Sequence, residues 1–245
     1  MRSDALPSPS SKSGFAVLTT GAVIAVGIVM ISFAAKVAGA DDAVSVSVET
    51  AASYTLAPGD SKSLARRLAL FRAKRMAADQ AADRFTAQKL IQFVDRDKNE
   101  LVCLVADRLD AELLLDQCRT DGHTDTCSVR AIMRVRLSDF IDAQLTSLRL
   151  GAEDEADYRE EMAPEIAAPF RPGLALAKAY RLIHKKEWRM AIIYLDRITQ
   201  RYPNWREAYE VKAVALNFEN QFSARREALQ QACALGSSTA CADLR

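Results

Sequence analysis

Five cysteines, two histidines and a crowd of carboxylates are the side chains of this 245-residue chain whose chemistry reaches beyond packing. The cysteines fall at Cys103, at Cys118 and Cys127, and at Cys233 and Cys241. None stands in the Cys-x-x-Cys spacing that holds zinc or cycles electrons, and the spacing suggests two bridges and one leftover thiol. Neither histidine has a second His or a Cys pair nearby. His123 reads as an exposed turn residue, and His184, beside Lys185 and Lys186, as a helix-end side chain that meets backbone carbonyls. Asp95, Asp97 and Asn99 alternate as the oxygen ligands of a calcium loop do. Glu100, however, takes the position that needs glycine for the turn, and Ala106 stands where the bidentate glutamate should be. The stretch therefore reads as a capping loop ahead of a helix over 99–109. There is no phosphate-cradling glycine loop, no His-Glu-x-x-His and no nucleophile elbow, and nothing singles out one pair among the 32 acidic residues. The expectation is a non-enzymatic protein with no catalytic residue, no cofactor and no metal site.

The elements that position these residues begin after an export segment. Residues 1–14 are polar and carry Arg2 and Lys12, and Phe15 to Ala35 then run 21 residues without a charge. That length suits a spanning helix, which needs about 20 apolar residues. Thr19, Thr20, Gly21, Gly27 and Ser32 dilute the run, and Ala38-Gly39-Ala40 ahead of Asp41-Asp42 reads as a signal-peptidase site. Both readings stand at this point: a cleaved signal peptide or a single N-terminal transmembrane anchor within residues 1–40. In either case the positive flank stays inside and the rest of the chain is expected in the periplasm. No cysteine follows the apolar run to accept a lipid.

Val44 to Leu56 alternates over 13 residues, with Val44, Val46, Val48, Ala52, Tyr54 and Leu56 on one face, the pattern of a strand with one wet side. Pro58-Gly59-Asp60 turns the chain into a long helix over 61–93. Its Ala65, Ala69, Ala73, Ala77 and Ala81 recur every fourth residue and form a ridge that suits close packing on a sheet. The opposite face carries Lys62, Arg66, Arg67, Lys74 and Arg75, a patch able to meet an anionic lipid or polymer, although a solvated helix face is the plainer reading. Ala111 to Cys118 and Thr126 to Leu137 are expected as a hairpin around Asp121-Gly122-His123. A Cys118–Cys127 bridge across it conflicts with simple pairing, which would put Glu112 and Asp116 on the apolar face, so a bulge or shifted register is expected. Ser138 to Leu150 reads as a short helix. An acidic stretch, Glu153 to Glu165, broken by Pro164, Pro169 and Pro172, reads as a linker.

From Gly173 to Arg245 the chain repeats at a 34-residue step: Trp188 recurs as Phe222, Leu195 as Leu229, Leu182 as Leu216 and Ala179 as Ala213. That period belongs to antiparallel helix pairs stacked in series. The residues resemble the tetratricopeptide repeat: Ala175, Ala179 and Leu182 on a first helix, Ala191, Leu195 and Pro203 on and after a second. The second copy departs from the family at Arg225 and Ser237, and Lys178 and Lys212 stand where leucine is usual. The resemblance implies a surface for protein binding on the side formed by the first helix of each pair, where Lys178, Arg181, Lys185 and Lys212 supply positive charge. Cys233 and Cys241 flank a corner at which Gly236 ends one helix and Ser237 or Ser238 caps the next, within bridging reach. The segment also resembles the secreted Sel1-like repeats, in which cysteines at this spacing are bridged. The order of strand, alanine-rich helix and hairpin is similar to the α+β domains of flagellar T-ring (FlgT-like) envelope proteins, which implies assembly in an envelope structure.

The fold expected is thus an α+β domain over 43–150, a linker over 151–172 and an all-α tetratricopeptide-like array over 173–245. The partner expected is an envelope protein or a second copy of the chain, with the inner membrane added if the N-terminal segment stays uncleaved. The formal charge of +1 gives no general attraction to nucleic acid. Two other classes remain beside this reading: an envelope enzyme or enzyme subunit with undetected chemistry, and a binder of peptidoglycan or another anionic polymer through the basic helix.

Overall fold

The computed structural model describes residues 44–93, 97–121, 124–160 and 170–245. The apolar run, the Ala38-Gly39-Ala40 site, Asp95, His123, Pro164 and Pro169 lie outside them.

Three antiparallel strands, β1 (Ser45–Thr55), β2 (Ala111–Asp121) and β3 (Thr124–Arg136), lie in the order β1-β3-β2. The central strand is β3. Its Cys127, Val129, Ala131, Met133 and Val135 are all buried, as period-2 alternation requires. Helix α1 (Lys62–Ala87) crosses the face they form. Ser61 caps it, its hydroxyl accepting the Leu64 N–H at 3.1 Å. Ala65, Ala69, Ala73, Ala77 and Ala81 are fully buried. Small side chains bring the helix close enough for the Thr50 hydroxyl to donate to the Ala73 carbonyl at 2.9 Å. Thr50 thereby joins the inward face of β1.

Two boundaries differ from the sequence expectation. Helix α1 stops at Ala87 instead of running to Phe93. Lys89 adopts φ 57° and the Leu90 N–H donates back to the Phe85 carbonyl, a helix stop built without the usual glycine. Phe93 then reaches the Phe140 ring at 5.7 Å. Helix α3 (Leu137–Glu160) runs on into the acidic stretch, as far as Glu160, instead of ending near Leu150. The hairpin behaves as expected: Cys118 pairs with Cys127, and a bulge falls between Leu113 and Leu115. Asp116, opposite Val129, is turned to Arg66 of α1 at 3.2 Å.

Helix α2 (Asp97–Arg108) buries Leu101, Val102, Cys103, Leu104, Val105 and Ala106 and packs against α1, α3 and α4 (Pro172–His184). The remaining helices are α5 (Trp188–Arg201), α6 (Arg206–Phe218), α7 (Phe222–Ala234) and the short α8 (Ser238–Asp243). Each packs on the one before it. The sheet region and the helix pairs belong to one compact unit, Ala38–Arg245, with a shared hydrophobic core.

Candidate functional site

The repeat seen in the residues has a counterpart in the backbone. Lys186, between α4 and α5, and Asn220, between α6 and α7, both adopt left-handed conformations, φ 63° and 58°, 34 residues apart. The following N–H groups close the same bonds: Glu187 to the Leu182 carbonyl and Gln221 to the Leu216 carbonyl. Ala179 and Ala213, Leu182 and Leu216, Leu195 and Leu229 are buried in equivalent places. After α7 the turn recurs with Gly236 at φ 90°, and the Ser237 hydroxyl accepts the Ala240 N–H at 3.1 Å to start α8.

The first helices of the pairs face inward, onto the sheet region. Glu207 of α6, 1% exposed, accepts two bonds from Arg72 of α1, at 2.7 and 3.2 Å, and a third from Arg206 at 3.2 Å. Burial opposes its ionisation, but Arg72, Arg206 and Arg75 outweigh that and hold its carboxyl below the usual range. Arg75 reaches Glu210 at 3.9 Å and donates to the Tyr180 hydroxyl at 3.5 Å. Burial pushes the Tyr180 phenol up to about 12. An aromatic cluster closes the seam, with Trp205 edge-on to Phe71 at 6.2 Å and to Phe170 at 5.6 Å.

This packing corrects part of the sequence reading. Arg181, placed there on the partner-binding side, is 7% exposed and ion-paired with Glu100 of α2, because the face of α4 that carries it is covered by α2. His184 directs Nδ1 to within 3.7 Å of the same carboxylate instead of serving only a helix end. Lys212 reaches Asp196 of α5 at 2.7 Å. Lys178 is half-buried and Lys185 exposed. Glu100 was legible in the sequence only as a fault in a calcium loop. Its period on α2 places it with the buried residues, and a buried carboxylate demands a cation.

The basic helix face is answered from within the chain. Lys62 lies 3.7 Å from Asp125 and Arg66 3.2 Å from Asp116, and Arg67 donates to the Phe170 carbonyl at 3.3 Å. Lys74 borders a cleft of about 280 Å³ with Arg67, Asp107 and Arg171. Burial lowers its pKa, and Asp107 and Asp110 oppose the shift. Asp107 is committed to the fold: it accepts the Gly173 and Leu174 N–H groups at 3.1 and 3.0 Å and caps α4 from a neighbouring helix.

Two disulfides are formed, Cys118–Cys127 across the hairpin and Cys233–Cys241 between α7 and α8. Such bonds fit an oxidising, extracytoplasmic compartment. Cys103 is the free thiol, fully buried, with its pKa pushed up to about 11 by that burial, the opposite of what a nucleophile needs. Among the described residues no group of three His, Cys, Asp or Glu is placed to hold a metal ion. No helix among them is long and apolar enough to cross a membrane.

The last α-helices leave one face of the array open. Trp188 of α5 stacks on Phe218 of α6, centroids 4.4 Å apart and planes at 12°. Its counterpart on α7, Phe222, is 62% exposed, and Val214 and Phe218 of α6 are 42% and 52% exposed. A cleft of about 360 Å³ lies among α6, α7 and α8, lined by Val214, Phe218, Arg225, Leu229 and Asp243.

No family model, no curated protein and no solved structure matches this chain.

Proposed function

We propose that the protein is a non-enzymatic interaction or assembly module of the cell envelope, exported to the periplasm, and that its C-terminal helix pairs are tetratricopeptide-like repeats that bind another protein. The observation that carries the reading is the coincidence of sequence and backbone period: turns, buried leucines and buried alanines recur together at 34 residues. Stacked helix pairs of this kind present surface rather than reactive groups. The two disulfides support the compartment. The large exposed side chains at the end of the array support a binding role, since contiguous exposed apolar surface marks interaction sites. The α+β region, by this reading, is the support: its helices α1 and α2 fill the inner side of the pairs, so a partner meets the outer and terminal surfaces.

Two measurements test the proposal. A reporter enzyme that works only outside the cytosol, fused after Arg245, is expected to be active, and activity of a cytosol-only reporter in its place would overturn the location. Crosslinking of envelope fractions followed by peptide mass spectrometry is expected to join residues of 173–245 to another polypeptide. Crosslinks confined to the chain itself would overturn the binding role.

A further inference from the structure

The internal repeat shows what the open face is built to receive. On the first pair, the outer surface of α5 is covered by α6, whose Phe218 stacks on Trp188 and whose Lys212 pairs with Asp196. One step of 34 residues later, α7 presents Phe222 where α5 presents Trp188. The helix that stands where α6 stood is α8, six residues long. The Cys233–Cys241 bridge and the Ser237 cap hold it, and it fills only the first turn or so of that place. What remains is the cleft of about 360 Å³ and the exposed ring of Phe222.

The charges say what the occupant carries. Ala191 and Ile192, both buried on the first pair, are replaced at the same step by Arg225 and Arg226. Among the described residues Arg225 has Asp243 as its ion-pair partner, 4.0 Å away, and Arg226 is exposed beside Phe222. A second copy of the chain is a poor fit, because its own leading helix, α4, is already packed on α2 and its Arg181 is buried against Glu100; the array has only one free end.

We propose that the face formed by Val214, Phe218, Phe222, Arg225 and Arg226 binds an amphipathic helix of a partner protein that continues the array in trans, one aromatic ring of which stacks on Phe222 while a carboxylate meets Arg225 and Arg226. This inference rests on the protein-binding reading and specifies its site and the chemistry of its partner: an acidic, aromatic-bearing helix laid into a groove.

The chain supplies its own probe. A helix-stapled, fluorescently labelled peptide of the α6 sequence Arg206–Asn220 has the shape that covers α5. A second peptide with Ala215→Glu adds a carboxylate on a position that α6 buries, as the counter-charge for Arg225 and Arg226. Anisotropy titrations use the full oxidised chain. The glutamate peptide is expected to bind saturably and at least about tenfold more tightly than its parent. Phe222→Ala is expected to weaken it at least about fivefold, and Arg226→Glu to reverse the preference between the two peptides. Phe222 and Arg226 are exposed, and unchanged thermal melting confirms that both variants fold. Absence of saturable binding, or binding indifferent to Phe222→Ala, overturns the inference. Concentration-dependent self-association abolished by Phe222→Ala overturns it in favour of a second copy. If the peptides fail while envelope crosslinks appear elsewhere on 173–245, the site is wrong and the binding role stands.

Discussion

Glu207 and Arg72 join the two halves of the molecule through a buried ion pair, and their chemistry is exposed to pH. The carboxylate is buried and triply bonded, so removing Arg72 takes away two of its three bonds and leaves the charge only partly compensated by Arg206 and Arg75. Arg72→Met is expected to cost about 3 kcal/mol in urea unfolding, and the double variant Arg72→Met/Glu207→Leu to recover most of it. The folded pKa of Glu207 is lowered. Its contribution is therefore complete above the unfolded carboxylate value of about 4.3 and is lost as pH falls through the lower folded value. Glu207→Gln should flatten the acid limb below the unfolded carboxylate value of about 4.3, and an acid limb of unchanged slope would show that the pair carries no linkage. Gly173 sits where a Cβ would collide with the Cys103 carbonyl and the Asp107 carboxyl. Gly173→Ala is expected to destabilise by about 1–3 kcal/mol, because α2 and α4 must separate. Lys186 holds a left-handed φ of 63° that costs a side-chain-bearing residue about 1 kcal/mol. Lys186→Gly should recover about half of this after the greater chain entropy of unfolded glycine is counted.

Much of this was legible element by element, and the misses have physical reasons. The alternation of β1 and β3, the alanine ridge of α1 and the helix pairs follow from local periodicity, which one sequence carries in full. The bulge in β2 was legible because Cys118 opposite Cys127 conflicts with the parity of Glu112 and Asp116. The early stop of α1 was not, because Lys89 takes a conformation usually left to glycine. Nor was the burial of Arg181, which depends on Glu100, 81 residues away, and on α2 covering the side of α4 that a free repeat would display. At this scale the two bridges differ in consequence. Cys118–Cys127 ties the edge strand β2 to the central strand β3 near the hairpin turn, so its removal is expected to lower global stability by about 2–3 kcal/mol. Cys233–Cys241 fastens only α8, a helix too short to persist alone. Replacing both of those cysteines by serine should leave the unfolding midpoint nearly unchanged while the amides of Ala240 and Cys241 lose protection from hydrogen exchange; global destabilisation instead would make α8 part of the core.

At the scale of the whole molecule, a helical array has been turned inward. The first helices of the pairs are held against α1 and α2 through Arg72–Glu207, Arg75–Glu210 and Arg181–Glu100. One compact unit results, with one open end. By the proposed function, the protein works outside the cytosol and binds another protein through that end. Photo-crosslinking residues placed singly at Lys185, Val214 and Phe222 in intact cells test the claim most directly. Adducts with a second polypeptide are expected at Val214 and Phe222, formed only in the exported, disulfide-bonded protein. A chain that yields no adduct at any of the three positions, or yields them only while its cysteines are reduced in the cytosol, would contradict it.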